Sequence, residues 1–95
     1  MTPVTWAPQA IEDIEAIRTY VARDSAHYAD LLVERIVAAV GRLENFPRSG
    51  RVVPEVGDES LREVVYENYR IVYRVKPSVV EIITVFHGAR LLRLK

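Results

Sequence analysis

Cysteine is missing from the 95 residues, which excludes disulfides and thiolate metal centres and fits a reducing compartment. Net charge is missing too: 13 basic residues balance 13 acidic ones, so the chain lacks the bulk positive charge with which many proteins hold nucleic acid. No apolar run approaches the roughly 18 residues that span a bilayer, and the opening Met1-Thr2-Pro3-Val4-Thr5-Trp6 has neither the basic start nor the apolar stretch of a secretory signal. A cytoplasmic location without membrane association is expected. There is no Gly-rich phosphate loop, no His/Asp/Glu cluster at metal-ligand spacing and no nucleophile flanked by a recognisable base, so no metal or cofactor is expected.

What remains is an ordinary globular composition, 49% hydrophobic and 27% charged. The length suits one domain over residues 1–95. A domain this small buries only about 60% of the surface that its unfolded chain exposes, so a partner covering further apolar surface would add stability. Charge is unevenly placed: residues 1–47 carry 4 basic and 7 acidic side chains, residues 48–95 carry 9 and 6. The positive half also holds most of the residues able to do chemistry.

Val4-Thr5-Trp6 reads as a short strand, and Ala7-Pro8 as the start of a helix. Ile11, Ile14, Ile17 and Val21 recur at helical steps between charged residues, which predicts an amphipathic helix. Asp24 and Ser25 are capping residues before a second stripe of Ala29, Leu32, Ile36, Ala39, Val40 and Leu43. Phe46-Pro47 closes this helical hairpin. Residues 48–60 read as an irregular loop, with two glycines, a proline and five charges. Three β-rich runs follow, Leu61–Tyr66, Tyr69–Val75 and Val79–Phe86, joined by connections short enough to make them antiparallel neighbours.

The expected fold is therefore α+β: an antiparallel sheet, made of the short N-terminal strand and a C-terminal three-stranded meander, packed on an N-terminal helical hairpin. Strict alternation places Val64, Tyr66, Tyr69, Ile71, Tyr73, Val75, Val80, Ile82 and Phe86 against the helices. It places Glu63, Arg70, Arg74, Glu81 and His87 on the other face, with Val65, Val72, Ile83 and Val85 between them. By the same parity Tyr66, Tyr69 and Tyr73 pack in the core rather than stack on bases.

Arg70 and Arg74, four apart on one strand, project from one face and suit either a phosphodiester or a partner's carboxylates; cross-strand ion pairs with Glu63 and Glu81 are the competing reading. His87 precedes Gly88, whose freedom to turn leaves the imidazole accessible as a proton donor. His27 has no chemical neighbour in sequence and reads as a surface residue. Glu55 follows Pro54 in the loop. Together Glu55 as base, Arg70 as stabiliser of charge on the phosphate and His87 as acid would suffice for metal-independent cleavage of RNA by its own 2′-hydroxyl. Arg51, Glu63, Arg74, Arg90 and Arg93 are the candidate binding residues.

The segments Asp24-Ser25, Phe46-Pro47, Gly50-Arg51, Val53-Pro54-Glu55, Arg62-Glu63, Tyr69-Arg70-Ile71-Val72-Tyr73-Arg74-Val75 and Val85-Phe86-His87-Gly88 resemble, in order, those of RelE/ParE superfamily toxins of type II toxin–antitoxin systems. The loop and the His-Gly ending are most similar to the ParE-like, plasmid-stabilisation branch. The resemblance implies a growth-inhibiting toxin neutralised by a cognate antitoxin in a hetero-oligomer. It implies either of two targets: DNA gyrase for ParE-like members, or ribosome-bound mRNA for RelE-like endoribonucleases. Glu55, Arg70 and His87 occupy places similar to nuclease residues, but the lysine-rich loop and terminal tyrosine of other nuclease members are missing. The gyrase reading leads, the nuclease reading follows, and an inactive member serving only as a regulatory binding partner comes third.

Overall fold

The computed structural model describes residues 1–88. Arg90 and Arg93 lie outside the described residues. The elements run β1 (Val4–Trp6), α1 (Pro8–Ala22), α2 (Ala26–Gly41), a 3-10 turn (Arg42–Glu44), β2 (Arg51–Val52), β3 (Leu61–Tyr66), β4 (Tyr69–Val75) and β5 (Val80–His87). Pro8 opens α1, where its missing N–H costs no helical bond. Ser25 caps α2 by accepting the Tyr28 N–H at 3.1 Å.

The second stripe is buried as its spacing predicts, with Leu32 and Ile36 of α2 and Leu43 of the following 3-10 turn almost wholly enclosed. In α1 the inward stripe is Ala10, Ile14, Ile17 and Val21, while Ile11 stays exposed. Three of the four expected positions hold, and Ala10 takes the inward place in the first turn that counting large apolar residues gives to Ile11.

The sheet has five strands in the order β1-β5-β4-β3-β2. It is mixed rather than antiparallel throughout: β1 runs parallel to β5, with Val4 beside Val80 and Trp6 beside Ile82. The helical hairpin lies within the long crossover that such a parallel pairing needs. The loop also supplies a two-residue edge strand, β2, on β3.

One face of the sheet meets the helices through Ile71, Tyr73, Val80, Ile82 and Val85. The other is covered by the loop, where Val53, Leu61 and Val72 form a second apolar cluster flanked by Ile83 and Phe86. Alternation therefore fails at the end of β5. Tyr73 pairs with Ile82 but Val72 pairs with Thr84, leaving Ile83 as the extra residue of a β-bulge. Beyond it the faces exchange: Val85 enters the helix-side core, Phe86 turns to the loop side, and His87 falls opposite Tyr69.

Candidate functional site

Arg70 sits on central strand β4, between β3 and β5, and its side chain rises from the loop-covered face. It is 7% exposed. A guanidinium in such a place requires anions, since burying an unpaired charge costs several kcal/mol (order of magnitude ~5). Two glutamates supply them. Glu55 takes Nη1 and Nη2 in a forked pair, both at 2.7 Å, and Glu63 takes Nε at 2.8 Å and also Nη2. The Phe86 ring lies 5.1 Å from the guanidinium carbon.

Glu63 is the centre of this arrangement. Its side chain has no exposure, and its second oxygen accepts from Arg51 Nε at 2.6 Å. Arg51 is 61% exposed, so the chain Arg51–Glu63–Arg70–Glu55 leads from solvent through a buried carboxylate to a buried cation. The forked bonds from Glu55, reinforced by Glu63, push the Arg70 pKa above its already high ordinary range despite burial. Arg70 is therefore permanently charged and held in one orientation.

The loop that carries Glu55 is fastened at several points. Arg62 donates to the carbonyls of Gly50 at 3.0 Å, Arg48 at 3.3 Å and Glu59 at 3.0 Å. The Tyr73 hydroxyl accepts the Gly50 N–H at 2.9 Å, and Val53 plugs the second cluster. Asp58 accepts from both the N–H and the hydroxyl of Ser60 at 2.8 Å, which holds its carboxyl below the usual range. Arg74 joins this corner, donating to Ser60 Oγ at 2.9 Å and reaching Asp58 at 3.4 Å.

Of the expected trio, the fold brings Glu55 and Arg70 together. Phe86, not His87, shares the face of Arg70. His87 meets the Tyr69 ring edge-on at 5.9 Å between centroids, on the opposite side of the sheet, because of the bulge. Among the other candidates, Arg51 and Arg74 reach the surface and Glu63 lies beneath it. Glu81 pairs with Lys76 rather than with Arg74. The expected cross-strand pair of Arg70 with Glu63 forms. The roles of Phe86, Arg62 and Tyr73 escape a reading by residue type, since none is a usual acid, base or ligand here. The Gly50-Arg51 pair was the only local sign of a close approach.

Burial raises the Tyr73 pKa above that of an ordinary phenol. The unfolded chain then loses this proton near pH ~10 while the folded chain keeps it. The resulting stability is complete below that value and is lost as pH rises through the raised folded value. Thermal unfolding between about pH 9 and about pH 12 should fall more steeply for the parent than for Tyr73→Phe. Equal slopes would count against the buried phenol.

A family model described as the ParE toxin of type II toxin-antitoxin system, parDE, matches residues 4–92. Toxin RelE2 of Caulobacter vibrioides is 35% identical over 92 residues, 96% of this chain and 100% of that protein. Among solved structures, the chromosomal ParDE toxin–antitoxin system of P. aeruginosa superposes with a TM-score of 0.76 at 24% identity, over 92% of this chain and 96% of that one. The RelBE2 toxin–antitoxin complex of Mycobacterium tuberculosis gives 0.65 at 19% identity, over 94% and 93%. The fold is that of RelE/ParE superfamily toxins. The chain belongs to the ParE toxin family of type II toxin–antitoxin systems.

Proposed function

We propose that the chain arrests growth by acting on DNA gyrase and is neutralised by a cognate antitoxin. The observation that carries this reading is the state of Arg70. Its guanidinium is engaged by two carboxylates and an aromatic ring, while the imidazole that would serve as acid lies on the other side of the sheet. Such an arginine is built to hold the loop rigid, which suits a binding surface better than a phosphate receptor. The zero net charge agrees, because docking on RNA draws heavily on counterion release. The outward guanidinium of Arg51 and the half-exposed Arg74 are the contacts proposed for acidic groups of a partner. That partner is in the first place an antitoxin, as in the ParDE and RelBE2 systems whose toxins share the fold.

The nuclease reading has two observations of its own: Glu55 and Arg70 are in contact, and the Caulobacter relative carries the name RelE2. The two readings separate in one experiment. Expressed without its antitoxin, the chain is expected to arrest growth. The purified protein should block supercoiling or trap cleaved plasmid DNA with gyrase, and leave mRNA on programmed ribosomes intact. Codon-positioned mRNA cuts that vanish in His87→Ala would overturn the gyrase reading. Absence of arrest by folded protein would leave only a regulatory binding partner.

A further inference from the structure

The bulge in β5 decides what lies beneath Arg70, and its exposed backbone is held by a residue of α1. The Val85 N–H donates to Asp13 Oδ2 at 3.0 Å, and the Thr84 hydroxyl donates to the same oxygen. The other oxygen, Oδ1, accepts from the Gln9 side chain at 2.9 Å. Asp13 thus binds both of the residues that follow the extra Ile83.

Two registers are open to this strand end. In the observed one Ile71 faces Val85, Arg70 faces Phe86 and Tyr69 faces His87. If Ile83 were taken into the ladder opposite Val72, Ile71 would face Thr84, Arg70 would face Val85 and Tyr69 would face Phe86. The exchange of Val85 for Phe86 does little to choose between them. The observed register seats Val85 in the helix-side core and Phe86 under the loop; the other seats Phe86 on the helix side and Val85 under the loop. A one-residue slip normally moves an apolar set into solvent, but here Val85 and Phe86 exchange with each other and each face keeps an apolar side chain, while Thr84 comes opposite Ile71. What differs is the backbone: the bulge withdraws the Val85 N–H from regular pairing and offers it to a carboxylate.

We propose that Asp13 is a positioning residue for the Arg70 site, selecting the bulged register and with it the Phe86 ring under the guanidinium. Asp13 bonds to Gln9, Thr84 and Val85 and acts on the site through the strand. The register is a property of the fold; only its consequence for growth arrest rests on the proposed function. The same device sets His87 beside Tyr69, away from Glu55 and Arg70.

Cross-strand nuclear Overhauser contacts in the full chain read the register directly. The parent is expected to show Arg70 against Phe86 and Ile71 against Val85, with the Val85 amide protected from exchange. Asp13→Ala should lose these contacts and gain Arg70 against Val85 and Ile71 against Thr84. Deleting Ile83 in the Asp13→Ala chain should restore the parent contacts, because the strand then reaches the same pairing without a bulge. A merely destabilising substitution would not be rescued by removing a residue. Asp13→Ala that keeps Arg70 against Phe86 overturns the proposal. So does a Val85 amide that exchanges at the solvent rate in the parent, a result obtained even if the variant fails to fold. A register that shifts and returns, in a chain that never arrests growth, keeps the inference and overturns the gyrase reading.

Discussion

Replacing Glu63 by alanine is expected to cost about 3–5 kcal/mol, the range for removing one partner of a buried ion pair. The cost comes from what is left behind. Arg70, 7% exposed and unable to shed its proton, would keep Glu55 on one side and face an empty, dry space on the other. Urea unfolding should show a lower midpoint with unchanged slope. Arg51→Ala removes the solvent-side partner of the same carboxylate and is expected to cost no more than about 1 kcal/mol, since its side chain is 61% exposed and water replaces it. Comparable losses in the two variants would mean that the buried half of the network contributes no more than the exposed half. Replacing the whole network with apolar side chains is a different experiment, because a buried pair is costly to break without being a large net stabiliser.

Gly50→Ala is the second large effect, expected at about 1–3 kcal/mol or more from overpacking. A Cβ at this position would lie 2.5 Å from the Glu63 carbonyl oxygen and 2.7 Å from the Tyr73 hydroxyl. The first is backbone of β3 and has nowhere to yield without disturbing the pairing of Arg51 with Glu63. The strain therefore falls on the loop. Limited proteolysis should cut Gly50→Ala within residues 48–60 sooner than the parent, with the helical hairpin cut no faster. Unchanged loop cleavage together with unchanged stability would show that the loop can stand off from the sheet, and would weaken the case that it holds Glu55 rigidly on Arg70.

Much of the fold was legible because its signals are local. Ala29, Leu32, Ile36, Ala39 and Val40 repeat at helical steps and are buried at those steps. Arg70 and Arg74 alternate with Ile71 and Tyr73, and the two arginines do share a face. The site was half legible. Glu55 and Arg70 stand out by residue type as partners in one chemistry, and the fold brings them into contact. His87 was placed beside them by counting in twos from Val80. Counting in twos carries no record of an extra residue, and the bulge at Ile83 reverses every assignment after it. The composition around it hid the error, since Val85 and Phe86 fit either face.

Local pattern along the chain is enough for the helical hairpin, the three-stranded meander, two arginines on one strand face and the resemblance to a toxin family. These follow from periodicity, capping, turn length and residue order, all properties of neighbours along the chain. That β1 joins parallel to β5, that the loop covers the second sheet face, that Glu63 becomes the buried centre between Arg51 and Arg70, and that Asp13 bonds to β5 beside its bulge are matters of the tertiary structure. Each of these depends on residues far apart in sequence meeting in space, where the need to satisfy a buried charge or a diverted backbone N–H outweighs local pattern.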